Sequence, residues 1–413
     1  MRILIVTEDI PAAIIGGAGQ HAVVLGNALI DAGHDVHLLG YKLSGGADSN
    51  CGFRGPLHTT IDFTGARWQE GRLGIFSPLA RPHMARRIWR AIRGLGGTWD
   101  VVHYHGHNPL LGTLVPAAWN FVHTLHDQGA ECIAKSRFRR GQVCAETTPE
   151  ACAGCATAKP NRVQRWLSVQ AVNGLRRGSL AAFRRHRAVF VSDFVRRRYC
   201  EALGVSPHDI HADVVHNFVD AHKLRAALAA PLPDWLSDDG RLRVFAAGRI
   251  DAAKGFAEFL DALDDTMLLR IDLVVAGAGP DLAAIRQRHE ARGVRFLGWC
   301  APAEVLAWTR AAQVCVVPSV WEEPCATTVL EALALGRPVL ALHRGGTPEL
   351  VRHGEPGQLR LFDDLPALVQ ALRSSPFTAW SVSERAAVEH RLPELLALYR
   401  KHPPGSAAVE VLR

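Results

Sequence analysis

The sequence predicts an α/β protein built from two doubly wound domains, each around a parallel sheet. Three observations lead there. Short apolar runs recur and end in glycine or polar residues, as strands covered on both faces do. Segments of helical period separate these runs. A stretch with two prolines and three acids, AAPLPDWLSDDGR at 229–241, interrupts the pattern before it restarts. The 413 residues suit two domains, and a chain with 48% hydrophobic and 21% charged residues can bury large cores. Only 4 Tyr among many Gly, Ala and Leu argue against an all-β protein.

In chain order, MRILIV is a first buried strand. Its apolar run is too short for a signal peptide, since Glu8 and Asp9 end it. With no apolar segment long enough to span a bilayer, a cytoplasmic protein is expected. The Gly-rich loop IIGGAGQH at 14–21 leads into a helix to about Ala32, which Gly33 stops. HDVHLLG is the second strand. DVVHYHG (100–106), NFVHTLHD (120–127), AVFVSDF (188–194) and DVVHNFVD (213–220) read as further strands. Ligands in such sheets sit at the carboxyl ends of strands, where His105, His126, Ser192 and Asn217 fall. After the break come strands at 243–249, 271–279, 294–299, 314–319 and 338–342. Helical segments at 255–264, 281–291 and 303–311 alternate with them, and 383–400 has helical period.

Four loops of the second half suit a nucleotide. WEEPCATTVLE at 321–331 follows a buried strand and opens a helix, with Glu323 before it and Glu331 about two turns in. Unpaired N–H groups at such a helix start bind phosphate, and a carboxylate on each side can take hydroxyls. The plainer reading is that Glu323 caps the helix. GRIDAAKGF at 248–256 carries Arg249 and Lys254, cations for a diphosphate or simply a solvated pair. VAGAGP at 275–280 and HRGGTPELV at 343–351 add glycine turns.

The order GR…KG, VAGAGP, FLGW, PSxxEEP…EALALGRPVLA and GGxPE resembles the retaining family-4 glycosyltransferases of the GT-B fold. The loop GGAGQH, the strand VVHYHG and the turns TLHD and NFVD match as well. The resemblance implies two Rossmann-like domains facing each other across a cleft. An acceptor-binding domain would span 1–228, with a Cys-containing insertion at 128–160. A donor-binding domain would span 241–382, and a last helix at 383–413 would pack back on the first domain. It further implies that Arg249 and Lys254 hold the donor diphosphate, that Glu331 binds the ribose, and that Glu323 contacts the sugar hydroxyls, helped by N–H groups at Ala326 and Thr327. Gly16 and Gly17 would form the N-terminal loop near the phosphates, Gly277 would belong to the donor site, and His126 would orient the sugar. His126, Glu323, Arg249 and Lys254 are therefore the candidate catalytic residues. The family motif usually reads EPFG; here it is EPCA, so Ala326 puts a methyl where backbone meets phosphate.

The implied reaction moves a hexosyl unit from a nucleotide sugar, a UDP-sugar by family frequency, to a glycan, lipid-linked or small-molecule acceptor with retention. No D-x-D motif is present, so no cofactor is required for catalysis, and the two cations take the metal's place at the leaving diphosphate. A non-catalytic sugar-nucleotide binder and a GT-B phosphorylase or epimerase are the competing readings.

Three features lie outside this set. Cys132, Cys144, Cys152 and Cys155 have a C-x2-C pair with two further thiols, read either as a structural zinc site or as four unbonded thiols. His103, His105 and His107 alternate on a strand, favouring a substrate-edge or packing role over metal. Lys135 to Arg198 holds 15 Lys and Arg against Glu146, Glu150 and Asp193, a local excess of 12 in a chain of net +7. That segment, including Arg176, Arg177, Arg184, Arg185, Arg187, Arg196, Arg197 and Arg198, suits either peripheral contact with an anionic membrane at the inner face or a solvated surface. Few aromatics and no recognised motif argue against nucleic acid.

Overall fold

The computed structural model describes residues 1–10, 17–42, 51–62, 76–155, 161–233, 240–373 and 377–400. Gly16 lies outside them. The chain divides into two compact units: Met1–Arg137 with Ala145–His216 and the residues from Leu392 on, and Phe138–Cys144 with Asn217–Arg391.

The first unit is a seven-stranded parallel sheet. Its strands are β1 (Arg2–Thr7), β2 (Asp35–Tyr41), β3 (Leu57–Ile61), β4 (Val101–His105), β5 (Phe121–Leu125), β8 (Arg187–Phe190) and β9 (Ala212–Val214), in the order β3-β2-β1-β4-β5-β8-β9. Between β5 and β8 lies a two-stranded antiparallel hairpin, β6 (Phe138–Arg139) and β7 (Gln142–Val143), which clusters with the second unit. Helices α1 (Gly17–Asp31), α2 (Phe76–Gly94), α3 (Leu111–Leu114), α4 (Pro149–Ala153), α5 (Arg162–Arg185) and α6 (Asp193–Leu203) connect the strands. Leu4, Val6, Leu39, Val102, Tyr104 and Phe121 on the sheet pack with Ile88 and Ile92 of α2. Gly33, at φ +82, ends α1 where the sequence places its stop.

The second unit is a six-stranded parallel sheet. In chain order it contains α7 (Ala221–Ala229), β10 (Leu242–Ala247), α8 (Phe256–Asp261), α9 (Asp265–Leu268), β11 (Ile271–Ala276), α10 (Leu282–His289), β12 (Arg295–Gly298), α11 (Pro302–Ala311), β13 (Val314–Val317), α12 (Thr327–Ala334), β14 (Val339–Leu342), β15 (Leu359–Phe362) and α13 (Leu365–Leu372); the last helix, α14 (Val388–Arg400), starts in this unit and from Leu392 on belongs to the first. The strand order is β12-β11-β10-β13-β14-β15. Val244, Leu273, Val275, Val316 and Leu340 pack with Phe256 and Phe259. Each sheet reverses its winding once, at β1/β4 and at β10/β13, and in each unit the loops beyond that strand pair carry candidate residues.

Several boundaries differ from expectation. The first unit ends at His216 rather than 228. α7 belongs to the second unit because Arg310 of α11 donates to Ala227 O at 3.0 Å and Ala230 O at 2.7 Å. The stretch 213–220 is not one strand: pairing stops at Val214, and Val219 makes an isolated bridge to Ala387. The final helix begins at Val388, not 383. The helix after β13 begins at Thr327, so Glu331 stands about one turn in, not two.

Candidate functional site

In the second unit the loop after β10 supplies both cations. Asp251 caps the short turn Ala252–Lys254 by accepting from the amides of Ala253 and Lys254, and its other oxygen lies 2.5 Å from Arg249 Nε. The Arg249 side chain is 69% exposed, while Lys254 is mostly buried. Gly255 has φ +66, and a Cβ there would stand 2.2 Å from Pro318 O. Only glycine lets this loop press on the one after β13. The same logic governs Gly277 at φ +147, where a Cβ would fall 1.8 Å from Gly248 O. The Gly277 amide donates to Gly298 O at 2.7 Å, so this residue closes the two strand-end loops together rather than offering an N–H to a ligand.

Glu323 is almost fully buried at the meeting point of these loops. Its Oε1 accepts from Lys254 Nζ and, at 2.6 Å, from Ser319 Oγ. Lys254 also lies over the Trp321 ring, 5.3 Å from its centroid. Gly346 N donates to Glu323 O at 2.7 Å, which ties the HRGG loop beneath it. The helix-cap reading of Glu323 is thereby excluded: the residue at the start of α12 is Ala326, and no side chain caps it. The amides of Thr327 and Thr328 in the first turn have no intrahelical acceptor, the usual state of a helix start. Cys325 and Ala326 are both buried, and Asn217 Nδ2 donates to Cys325 O at 3.1 Å, fixing the segment ahead of the helix. Glu331 is half-buried. Burial pushes its carboxyl up to about 7, with Lys223 of α7 the opposing charge.

In the first unit, a Cβ at Gly17, the first residue of α1, would meet nothing within 4 Å among the described residues. His105 and His126 lie 3.0 Å apart, Nδ1 to Nε2, and the His21 ring sits 4.7 Å from that of His126. Burial lowers the His126 pKa to about 4 and that of His103 to about 3, so both are neutral at physiological pH. His103 bridges Tyr399 OH at 2.6 Å and Thr124 Oγ1 at 2.7 Å, the packing role expected of it. His107 does not converge with it. It pairs with Asp127 at 2.7 Å; that carboxylate outweighs burial and raises His107 to about 10, and the pairing holds Asp127 at about 2.

The insertion is organised by arginines. Arg81 donates to Gly129 O at 2.6 Å, Arg137 pairs with buried Glu131 at 2.8 Å, and Arg176 reaches Glu131 O at 3.2 Å and Thr147 O. Arg176 is buried, which removes it from the proposed membrane face. Its guanidinium also meets Cys152 Sγ at 3.3 Å. Among the described residues, the group of three or more His, Cys, Asp or Glu side chains whose ligand atoms lie within 4.8 Å of one another is His21, His105 and His126; Cys132, Cys144, Cys152 and Cys155 are not drawn together this closely.

With this geometry in place, comparison with known proteins decides the family. A profile described as Glycosyltransferase Family 4 matches residues 15–223, and one described as Glycosyl transferases group 1 matches residues 241–375. The chain belongs to glycosyltransferase family 4. It is 26% identical to glycogen synthase of Mycobacterium tuberculosis, over 91% of this chain and 86% of that protein. It is likewise 26% identical to phosphatidyl-myo-inositol mannosyltransferase of Mycolicibacterium smegmatis, over 88% and 81%. Among solved structures it resembles sucrose-phosphate synthase of Thermosynechococcus elongatus (TM-score 0.66, 19% identity, 97% of this chain and 98% of that one). It also resembles Anabaena HepE in complex with UDP-glucose (TM-score 0.63, 16% identity, 96% and 99%). The fold is GT-B, and the enzyme is a glycosyltransferase. No described helix is long and apolar enough to cross a membrane.

Two residues of the site escaped the sequence reading. Ser319 sits inside the quoted PSxxEEP motif, but nothing in its spacing says that its hydroxyl shares an oxygen of Glu323. His21 ends the GGAGQH loop and carried no periodic signal of its own.

Proposed function

We propose that this glycosyltransferase moves a hexosyl unit from a UDP-sugar to a hydroxyl of a glycan, lipid-linked or small-molecule acceptor, with retention of anomeric configuration. The observation that carries the reading is the Lys254–Glu323 pair beside the uncapped start of α12. A diphosphate arriving there finds Lys254, Arg249 and the amides of Thr327 and Thr328, all donors. Lys254 then shifts its charge from Glu323 toward phosphate, and the Glu323 carboxylate is released to accept from sugar hydroxyls while Ser319 keeps it in place. Glu331 accepts from the ribose. The cations stabilise charge on the departing diphosphate as the glycosidic bond breaks, and the departing phosphate takes the acceptor proton on the same face. His126, neutral, orients the sugar by hydrogen bonding. Complexes of HepE with UDP and UDP-glucose support a uridine donor by analogy alone.

A panel of nucleotide sugars, assayed for nucleoside diphosphate release with and without acceptor, tests the reading. The expected result is turnover with a UDP-hexose and a product whose anomeric proton coupling matches the donor's. An inverted product removes retention. Donor binding without release favours a sugar-nucleotide sensor.

A further inference from the structure

Three imidazoles meet at the carboxyl end of the first sheet. His21 lies near the start of α1, His105 ends β4 and His126 follows β5. One nitrogen from each ring can be chosen so that all three lie within 4.8 Å of one another. His105 is fully buried, and its Nε2 has no hydrogen-bond partner among the described residues. A buried polar atom left so is uncommon and asks for a ligand or water. The neighbouring His103 ring, 4.1 Å from His105, has both nitrogens engaged by Tyr399 and Thr124. It therefore backs the cluster without joining it. Asp127, beside His126 in sequence, is held by His107.

We propose that His21, His105 and His126 form a binding site for one first-row divalent cation of the zinc type. An all-imidazole set suits Zn2+, Co2+ or Ni2+ and disfavours Mg2+ and Ca2+, which take oxygen ligands. Neutral imidazole binds through a lone pair without losing a proton. Three protein ligands leave a fourth position for water or an anionic oxygen. The three rings come from α1, the end of β4 and the residue directly after the neighbouring β5, so the ligands are held close to the regular frame of one sheet.

Cobalt absorption of the full-length, tag-free protein tests this independently of any role of His126 in transfer, because the spectrum reads the ion alone. The expected result is one Co2+ per chain, displaced by Zn2+ and not by Mg2+. The visible bands should be those of a four-coordinate ion without thiolate charge transfer. Binding should survive in Cys152→Ser/Cys155→Ser and fall at least about tenfold in His21→Ala and His105→Ala. His21→Ala serves if removal of the buried His105 ring prevents folding. Absence of bound Co2+, thiolate bands that disappear with the cysteines, or undiminished binding in His21→Ala overturns the site.

Discussion

Lys254 donates to Glu323, and the oxygen that accepts it also accepts from Ser319. The donor-side lysine is therefore already engaged within the protein. Its charge is stored against a carboxylate that the proposed reaction also needs, so each side chain keeps the other from being buried unpaired. The first prediction follows. Glu323→Gln leaves Lys254 without its counter-charge and gives the sugar an amide in place of a carboxylate. The expected result is a folded protein whose kcat/KM falls by about 100-fold or more, on the scale of about 3 kcal/mol for a lost charge-assisted contact in a transition state. Steady-state kinetics with a circular dichroism control checks it. Ser319→Ala, which removes only the neutral donor, should cost far less.

Glu331 gives a pH signature. Burial raises its folded-state pKa to about 7, above the unfolded value. The folded state thus favours the protonated form, and the stability this group contributes is lost as pH rises through about 7. Donor binding runs the opposite way. A carboxylate accepts from ribose hydroxyls better than a carboxylic acid does, so donor affinity should strengthen as pH rises through about 7. Isothermal titration with UDP at several pH values reads this, and Glu331→Gln should abolish the step. A pH-independent affinity in the wild type would remove Glu331 from the ribose.

His107 and Asp127 make the second electrostatic prediction. His107 is raised to about 10 by Asp127, and Asp127 is held at about 2 by His107. The histidine's contribution is complete below its unfolded pKa and disappears as pH rises through about 10. The aspartate's is complete above its unfolded pKa and is lost as pH falls through about 2. Asp127→Asn should return the His107 titration to well below 10 in an NMR pH series and destabilise the protein by about 2 kcal/mol, the scale of a hydrogen bond to a charged group.

The sequence made the donor side more legible than the first unit, for a physical reason. Central parallel strands are nearly continuous apolar runs, so β10, β11, β13 and β14 stand out along with the loops that follow them, and Gly248 and Gly277 mark the ends of the first two. β3 and β15 passed unseen because each is an edge strand: LHTTI and LRLF are only partly buried, and neither carries a continuous apolar run. The shortened α12 was hidden because PCATTVLE has helical period throughout, while Ala326 adopts an extended ψ of 105° ahead of the first turn. The histidine trio could not be read at all. Its members come from three separate elements, and only the parallel pairing of β4 with β5 brings His105 beside His126. The basic stretch misled in the opposite sense, since composition does not distinguish an arginine that binds a backbone carbonyl from one that faces solvent.

The insertion rests on a buried ion pair. Glu131 and Arg137 are each 2% exposed, and Arg137 sits at φ +47, in the left-handed region. Removing one partner strands the other charge, so Arg137→Met should destabilise by about 3–5 kcal/mol. The double change Glu131→Gln/Arg137→Met should recover part of that loss. Denaturant unfolding of the four proteins in the cycle measures the coupling, and additive losses would show that the pair does not act as a unit.

The start of α5 concentrates what remains of the membrane proposal. Val163 is 65% and Trp166 61% exposed, and exposed Arg162 and Arg165 share that turn. Elsewhere in the basic stretch Arg187 pairs with Asp213, Arg196 and Arg197 with Asp193, and Arg198 with Glu201, while Arg176 is buried. An indole with adjacent guanidiniums suits the headgroup level of an anionic bilayer, where the ring enters the apolar boundary and the cations stay at the phosphates. Each cation near such a surface contributes about 1 kcal/mol, so Arg162→Gln/Arg165→Gln should weaken vesicle binding roughly 30-fold at low salt. Trp166→Ala should weaken it without changing the salt dependence, because it removes apolar area and no charge. Sedimentation with phosphatidylserine-containing vesicles at two ionic strengths separates the two contributions. Equal binding by all three proteins would place the contact elsewhere on the molecule.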